Sequence, residues 1–301
     1  MVTRAAPPRA PLIDAPLIGA HVSIAQGIEK APDRGARLGC RVIQVFTKTA
    51  SQWAGKPITE SSARLFRERV TLLGLATLAH DSYLVNLGSP DRHVWKRSVE
   101  ALAGELERCK LLGIPALVIH PGADRGTGEQ AGIARIVRGL EEALGRQGRV
   151  PVKILLENTA GQGSLLGHRF EQLAAMAEPF APSAVGFCLD TCHAFAAGYD
   201  LASLDGLAAT LELFDRTLGL ERLGAIHLND AKKERGSRVD RHEEIGRGWI
   251  GFAAFRALMA DSRLEQVPKI IETPKGNDDQ NDRRALALLR RYARIARKRP
   301  R

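Results

Sequence analysis

The sequence predicts a single α/β domain folded as a (β/α)₈ or TIM barrel, and three observations favour that fold. Eight short runs rich in β-branched and apolar residues alternate with longer runs at helical spacing, as in a parallel sheet with crossover helices. Eight such units fill about 280 residues, a length that favours a closed barrel over an open doubly wound sheet. No low-complexity linker divides the 301 residues, so we assign one domain.

Each element follows from the period of its apolar residues. The predicted strands are Ile18–Val22, Val42–Thr47, Thr77–His80, Ala116–His120, Lys153–Glu157, Val185–Asp190, Ala225–Leu228 and Lys269–Glu272. The predicted helices are Ser61–Leu73, Val94–Leu112, Gly132–Arg146, Glu171–Met176, Leu207–Leu218 and Phe252–Met259. A last helix is expected within Asp282–Arg301, where Leu286, Leu289 and Tyr292 recur at helical spacing.

The two ends of the chain differ in composition from its middle. Residues 1–16 are rich in Ala, Pro and Arg and lack the apolar stretch of a secretion signal. We interpret them as a mobile N-terminal extension, with a transit peptide as the alternative. Residues 17–292 are expected to form the barrel. Residues 293–301 form a basic tail, which is either solvated or in contact with a polyanion.

Composition excludes several classes of protein. Hydrophobic residues make up 44% of the chain, yet no apolar run approaches the roughly 20 residues that span a bilayer, so we expect no membrane association. Four cysteines in a chain of this length are not a disulfide framework and indicate a reducing cytoplasm. The net charge of +10 is typical of a protein that meets a polyanion, although solubility alone also explains it.

Ionisable side chains stand at the carboxyl ends of seven of the eight predicted strands. They are His21, His80, His120, Glu157, Asp190, His227 and Glu272. A lone histidine at a strand end is usually a hydrogen-bonded core residue, but the carboxyl ends of barrel strands converge on one face. Without partners, these groups would be costly to bury together. Metal ions would neutralise the carboxylates, and a mixture of His and carboxylate ligands suits Zn²⁺ or Mn²⁺.

Three more residues extend this candidate site. His193 follows Asp190 by three positions, and Asp240 and His242 lie two apart after the seventh strand. In an extended loop, residues two apart point to the same side, so this pair could join His193 in a third metal site. An Asp-x-His pair by itself is usually part of a solvated loop, and both interpretations stay open.

Two other patterns do not indicate sites. The glycines of Gly161–Gly163 are not followed by Gly-Lys-Ser/Thr, so we reject a phosphate-binding loop and expect no nucleotide cofactor. Cys188 and Cys192 flank Asp190, but their spacing on a strand and the following turn favours packing over metal ligation.

Several blocks of the sequence resemble endonuclease IV. They are Gly19–Ser23 (GAHVS), His80–Leu87 (HDSYLVNL), His120–Gly122 (HPG), Leu156–Gly163 (LENTAGQG), Leu189–Asp200 (LDTCHAFAAGYD), His227–Asp230 (HLND), Ser237–His242 (SRVDRH) and Glu272–Thr273 (ET). The blocks come in that family's order and extend over most of the chain. A block as long as Leu189–Asp200 rarely matches by chance, so the chain is identified as a member of the family.

The resemblance implies a DNA repair enzyme with three Zn²⁺ ions per chain, with Mn²⁺ as an alternative at one position. Its reaction would be hydrolysis of the phosphodiester 5′ to an abasic site in duplex DNA, leaving a 3′-hydroxyl and a 5′-deoxyribose phosphate, with cleaning of blocked 3′ ends as a second activity. The implied ligands are His80, His120 and Glu157 for the first metal, Glu157, Asp190, His227 and Glu272 for the second, and His193, Asp240 and His242 for the third. His21 would orient the ligands from behind.

The same resemblance implies that loops after the second and third strands enter the DNA. Tyr83 and Leu84 match the positions of an apolar wedge, which unstacks and kinks a duplex. Ser51 stands where relatives have an Arg, so insertion at that point is in doubt, and nearby Trp53 could share it. Arg241 is expected to contact a phosphate. The plain alternatives are barrel packing for Tyr83 and Leu84, and a surface role for Arg241.

Two other functions remain open from the residues alone. A metal-dependent sugar isomerase or epimerase on the same barrel would use Glu157, Asp190, His227 and Glu272, but it would leave the five remaining candidate ligands without a role. A non-catalytic DNA-damage-binding protein would not need nine ligands. The expected partner is duplex DNA with abasic sites, and we expect the protein to act as a monomer.

Overall fold

Eight parallel strands close into a barrel in the computed structural model, which describes residues 16–148 and 152–297. The barrel strands are β1 (Ile18–His21), β2 (Val42–Phe46), β3 (Ala76–His80), β4 (Ala116–Ile119), β5 (Lys153–Glu157), β6 (Val185–Asp190), β7 (Leu223–His227) and β10 (Lys269–Ile271). Each strand pairs with the next in this order, and β10 pairs with β1 to complete the closure. The predicted fold is therefore confirmed.

A short antiparallel hairpin interrupts the barrel pattern after β7. Its strands are β8 (Asp230–Ala231) and β9 (His242–Glu243), with Ala231 opposite His242. Both lie in the connection between β7 and the helix that follows it, which places the hairpin at the carboxyl end of the barrel strands. The hairpin was not predicted, because a strand of two residues carries no periodic pattern.

Nine α-helices lie in the described part of the chain and cover the outside of the barrel. They are α1 (Ala31–Arg37), α2 (Glu60–Leu73), α3 (Arg92–Leu112), α4 (Glu129–Leu144), α5 (Phe170–Ala177), α6 (Thr191–Ala197), α7 (Leu204–Leu218), α8 (Phe252–Ala260) and α9 (Gln280–Arg297). The six helices predicted between strands are all present. The short helices α1 and α6 were missed.

Local signals in the sequence set the helix ends. The side chains of Thr59 and Asp91 accept hydrogen bonds from the first backbone N–H groups of α2 and α3, as N-cap residues do. Gly74 and Gly113 end the same two helices with left-handed φ angles of 60° and 69°, which an L residue adopts only with strain. These caps return the chain directly to the next barrel strand.

The last helix continues beyond the expected start of the basic tail. Helix α9 ends at Arg297, and Ala293 is buried within it. Residues 298–301 of the tail and residues 1–15 of the N-terminal extension lie outside the described residues. No helix of the described ranges has an apolar stretch long enough to cross a membrane.

Close packing of β1 against β2 generates a prediction about Gly19. A Cβ at this position would lie 1.6 Å from the carbonyl oxygen of Val42, a backbone atom that cannot move without opening the sheet. We expect Gly19→Ala to lower the free energy of unfolding by more than about 2 kcal/mol in urea titrations followed by circular dichroism. A variant as stable as the wild type would contradict this packing.

Gly104 provides the matched control, since it lies in the middle of α3 and a Cβ added there would have no other atom within 4 Å. Gly104→Ala removes backbone entropy from the unfolded chain without a clash, so it is expected to raise the free energy of unfolding by about 0.5–1 kcal/mol.

Candidate metal centre

Simple alternation along the strands carries the predicted ligands into the mouth of the barrel. Residues two apart in a strand face the same side. The lower interior is filled by buried apolar residues that include Val42, Leu78, Val118, Leu155, Cys188, Ala225 and Ile270. Two positions further along the same strands stand Gln44, His80, His120, Glu157, Asp190, His227 and Glu272. A ring of polar side chains therefore rests on an apolar floor.

Glu157 occupies the centre of this ring and is fully buried. Its Oε2 lies 3.1 Å from His80 Nε2 and 3.0 Å from His120 Nε2. Its Oε1 lies 2.8 Å from His227 Nδ1, and Glu272 Oε2 lies 3.3 Å from the same nitrogen. One carboxylate thus faces two groups of candidate ligands, which is the placement that a bridging ligand needs.

A second cluster lies beside the first, under the loop after β7. Asp240 Oδ1 lies 3.2 Å from His193 Nε2 and 3.5 Å from His242 Nε2. Asp190 connects the two clusters, because its Oδ2 lies 3.7 Å from His242 Nε2 and 3.8 Å from His227 Nδ1. Asp240 and His242 therefore point to the same side, as their spacing predicted.

Helix α6 brings His193 into the site. Asp190 is both the last residue of β6 and the N-cap of α6, where its Oδ1 accepts a hydrogen bond of 2.8 Å from the His193 backbone N–H. The helix therefore begins without a connecting loop. Its sequence, Thr191–Ala197, is buried on nearly all sides and has no amphipathic pattern, which explains why sequence reasoning missed it.

Hydrogen bonds to carbonyl groups orient three of the histidines. The Nδ1 atoms of His80, His193 and His242 each lie within hydrogen-bonding distance of a backbone carbonyl, at 2.8, 3.0 and 3.2 Å. A carbonyl only accepts, so in the neutral ring Nδ1 carries the proton and Nε2 presents a lone pair. Buried metal ligands show this arrangement, with one nitrogen fixed from behind and the other facing the metal.

The free Nε2 lone pairs face carboxylate oxygens, which also only accept. Such an arrangement is repulsive unless a proton or a cation lies between the two groups. The Nε2 atoms of His193 and His242 have no hydrogen-bond partner among the described residues. The donors fall into groups whose ligand atoms lie within 4.8 Å of one another, including His80 with His120 and Glu157, Glu157 with Asp190, His227 and Glu272, and Asp190 with His193 and His242. This donor set fits Zn²⁺.

The electrostatics of the site keep the central Glu157 carboxylate charged. Burial raises the pKa of Glu157, but the nearby His227 and His120 outweigh it and hold the pKa well below its usual value. Burial lowers the pKa of His193, but the charges of Asp190 and Asp240 hold it well above its usual value. Without a metal, protons on the histidines would have to balance the negative charge of the carboxylates.

Gln44 is a site residue that the sequence analysis missed. It is fully buried, and its Oε1 accepts a hydrogen bond of 2.9 Å from His227 Nε2. Its Nε2 donates to Glu272 Oε1 at 2.6 Å, and the predicted orienting residue His21 lies 3.2 Å from the same oxygen. Gln44 thereby fixes the proton of His227 on Nε2 and turns Nδ1 towards Glu157. The available signal was a single amide in the otherwise apolar strand β2.

Asp230 organises the loop that follows the hairpin and was also missed. Its buried carboxylate accepts hydrogen bonds of 2.8–3.4 Å from five backbone N–H groups, those of Ala231, Gly246, Gly248, Ile250 and Gly251. The repeated glycines of this segment allow the backbone to wrap around one anion. No local pattern pairs Asp230 with a loop sixteen residues away, since Gly246 N reaches it only in the fold.

The residues expected to contact DNA surround the mouth of the site. Tyr83 follows β3 and is 68% exposed, with its ring 5.5 Å from that of Phe46, so ordinary barrel packing does not describe it. Leu84 beside it is half-buried. Arg241 is exposed between Asp240 and His242, and its guanidinium donates to the Asp240 carbonyl at 2.7 Å.

The loop after β2 is tied to α3. Glu105 of α3 is buried and accepts hydrogen bonds from Thr47 and Lys48 at the start of the loop. Further along, the half-buried Trp53 stacks under the guanidinium of Arg97, whose Cζ lies 4.5 Å from the ring. Ser51 is exposed between these two anchors. Trp53 is therefore held against the protein, and Ser51 has solvent in front of it.

Two cysteines, which the sequence analysis assigned to packing, lie close to the candidate metal ligands. Cys188 lies in a group with Glu157 and His227, and Cys192 in a group with Asp240 and His242. Burial raises the pKa of Cys188 to about 12 and raises that of Cys192 as well, which favours neutral thiols at both positions.

Comparison with known proteins identifies the family. The chain matches the model of the "Xylose isomerase-like TIM barrel" family over residues 32–292. It is 51% identical over 279 residues to a protein named "Probable endonuclease 4" from Geobacter sulfurreducens, covering 92% of this chain and 94% of that one. It is 48% identical over 278 residues to a protein of the same name from Chloroflexus aurantiacus, with 91% and 97% covered.

Solved structures agree. Endonuclease IV from Thermus thermophilus superposes with a TM-score of 0.83 at 37% identity, covering 93% of this chain and all of that one. A D-tagatose 3-epimerase-like protein superposes with a TM-score of 0.73 at 18% identity, which shows a shared barrel and no more. The predicted resemblance is confirmed: the chain belongs to the endonuclease IV family.

Proposed function

We propose that this protein hydrolyses the phosphodiester on the 5′ side of an abasic site in duplex DNA and leaves a 3′-hydroxyl and a 5′-deoxyribose phosphate. As a member of its family the chain is a nuclease, a phosphodiester hydrolase. The observation that carries the finer proposal is the pair of connected clusters around Glu157 and Asp240, where lone pairs of His193 and His242 face carboxylates.

We propose three Zn²⁺ ions per chain, with Mn²⁺ as an alternative at one position. The residues that would hold them are His80, His120 and Glu157, then Glu157, Asp190, His227 and Glu272, then His193, Asp240 and His242. When bound, such ions supply a hydroxide near neutral pH and neutralise the charge that builds up on phosphate and leaving oxygens.

The protein's own contribution is to hold these donors in place before any ligand arrives. Gln44 and His21 contact Glu272 from behind, and Gln44 also holds His227. The apolar residues beneath the ring close the floor of the site to water. Preorganised donors in a dry site stabilise developing charge without reorganising during the reaction, which is why we attribute most of the rate to this placement.

The exposed residues around the mouth support duplex DNA as the substrate. Tyr83 projects beside His80 with a ring centroid distance of 6.2 Å, so a wedge at this position would unstack the nucleotide next to the metal cluster. A nucleotide without a base is the cheapest to displace from the stack, which makes the wedge selective for damage. We also propose cleaning of blocked 3′ ends, which is the same hydrolysis at a strand terminus, and action as a monomer in the reducing cytoplasm.

A sugar isomerase or epimerase is the competing function, since relatives of that kind share the barrel. Such an enzyme needs Glu157, Asp190, His227 and Glu272. It offers no reason for Asp240 to approach both His193 and His242 in a second cluster. This cluster favours the nuclease.

The first test is incision of a duplex that carries one tetrahydrofuran abasic-site analogue. We expect a single product pair with a 3′-hydroxyl, and loss of incision after dialysis against a chelator, because the proposed attacking hydroxide depends on bound metal ions. Product ends are identified by mass spectrometry. The assay is repeated on a natural abasic site, which unlike the analogue can undergo β-elimination, and a 3′ unsaturated aldehyde there would show a lyase and contradict hydrolysis.

The second prediction concerns the bridging position. Glu157→Gln keeps the size of the side chain but removes its charge, so we expect a loss of rate of several orders of magnitude and fewer than the three Zn²⁺ ions per chain expected for the wild type. Rates come from single-turnover incision and metal content from elemental analysis. The control is Glu141→Gln, the same substitution at an exposed position on α4, which is expected to change neither the rate nor the metal content. Near-normal incision by Glu157→Gln would contradict the bridging role.

The third prediction concerns Tyr83. Stacking on an aromatic ring is worth about 1–3 kcal/mol per base, so Tyr83→Ala is expected to weaken binding to abasic duplex by tenfold or more in anisotropy titrations, and binding to intact duplex far less. Tyr83→Phe keeps the ring and is expected to bind like the wild type. Ser51→Arg should tighten binding to abasic duplex. An equal loss for both duplexes would show that Tyr83 does not sense damage.

A further inference from the structure

Trp249 is a large aromatic residue that the fold leaves in water. Its side chain is 60% exposed on the segment between the hairpin and α8. Phe252, three residues further along the chain, is also exposed, but its ring packs directly against the backbone of Gly246. Within the described residues the Trp249 indole makes no hydrogen bond, ring contact or cation–π contact. Exposed indoles are unfavourable and are enriched in binding surfaces.

The backbone that carries Trp249 is held rigidly. Trp249 N donates to the Ala231 carbonyl at 2.9 Å, and the flanking Gly248 and Ile250 donate to Asp230. Ile250, the next residue, is buried. The exposed indole is therefore carried by a hydrogen-bonded backbone segment, residues 248–250, which we call the platform. A rigid aromatic residue loses little entropy when a ligand covers it.

This platform is continuous with the candidate metal centre. Ala231, which accepts the hydrogen bond from Trp249, is the residue opposite His242 in the hairpin. The Trp249 backbone is therefore hydrogen-bonded to the residue that pairs with His242, a candidate ligand in the second cluster. Both lie on the face formed by the carboxyl ends of the barrel strands.

Exposed cations lie on the hairpin that adjoins the Trp249 segment and, at Arg247, on the segment itself. They are Lys232, Lys233, Arg235, Arg238, Arg241 and Arg247. Arg235 pairs with Asp200 and Arg247 with Glu244, whereas Lys232, Lys233, Arg238 and Arg241 have no carboxylate partner among the described residues. Cationic side chains next to an exposed aromatic ring suit a polyanion with flat or apolar parts, and a nucleic acid strand has both.

We propose that Trp249 is a DNA-binding residue that packs its indole against a sugar or base of the strand lying over the hairpin. The proposal deepens the proposed function and rests on it, since it assigns DNA to the same face. The role is one of binding: Trp249 adds affinity outside the metal centre and does not take part in the hydrolysis.

The test compares Trp249→Ala, Trp249→Phe and a control, Leu72→Ala. Leu72 is 61% exposed in the last turn of α2, which lies at the opposite end of the barrel. Single-turnover incision of abasic duplex separates the half-saturating enzyme concentration from the maximal rate. We expect Trp249→Ala to raise the half-saturating concentration about tenfold, which lies within the range expected for loss of one stacking contact, with the maximal rate unchanged. Trp249→Phe should lie within threefold of the wild type, and Leu72→Ala should match it.

A second measurement uses the indole itself. The chain has three tryptophans, and Trp95 is buried and Trp53 is stacked under Arg97. We expect DNA to change the tryptophan emission of the wild type, and Trp249→Phe to lose most of that change although it still binds. The salt dependence should also differ: Trp249→Ala keeps the wild-type slope of log affinity against log salt, whereas Arg241→Ala, at the residue expected to contact a phosphate, lowers it by about one.

The outcomes separate this inference from the proposed function. If the wild type incises abasic DNA and Trp249→Ala has a normal half-saturating concentration, or if Leu72→Ala is equally impaired, Trp249 is not a DNA contact. If the wild type does not incise but Trp249→Ala weakens anisotropy binding to intact duplex, the function is wrong and the contact stands. A dimer in sedimentation velocity that Trp249→Ala dissociates would assign the indole to a second copy of the chain and overturn the proposal.

Discussion

The architecture depends on one electrostatic constraint: lone pairs of buried histidines face carboxylate oxygens that can only accept. Burial alone would drive such groups apart or neutralise them, since an uncompensated charge in a low-dielectric interior is costly. Here Glu157 stays central and fully buried, while imidazoles approach it from four strands or their ends. Positive charge between these acceptors relieves the repulsion, so the fold without cations carries an unfavourable term that metal binding removes.

The barrel meets this constraint with geometry that the strands already possess. Because alternate residues share a face, each strand can supply an apolar residue to the floor and a ligand to the mouth. Leu155 and Glu157 on β5 show the pattern in two neighbouring inward positions. The groups that hold the histidines from behind are carbonyls and the Gln44 amide, which are uncharged. Orientation is therefore achieved without adding further charge to bury.

The barrel and most candidate ligands could be predicted from the sequence because both follow from short-range periodicity. Lys153–Glu157 and Val185–Asp190 have the predicted bounds, and ionisable residues at strand ends needed only the rule that these ends converge. The failures are long-range. Gln44 matters because β2 lies near β10 and β7, and Asp230 because a distant loop wraps around it. Helix α6 was missed because burial on every side removes the amphipathic signal.

The Asp230 carboxylate has a consequence for how this surface can change in evolution. It binds the backbone of the segment between Ile245 and Gly251, so the shape of the loop does not depend on its two exposed side chains, Trp249 and the surface-paired Arg247. A substitution at either position changes the charge or the apolar area of this surface without shifting His242 in the adjoining hairpin. The chemistry of the exposed surface can therefore vary within this short stretch of chain while the positions of the neighbouring candidate metal ligands stay the same.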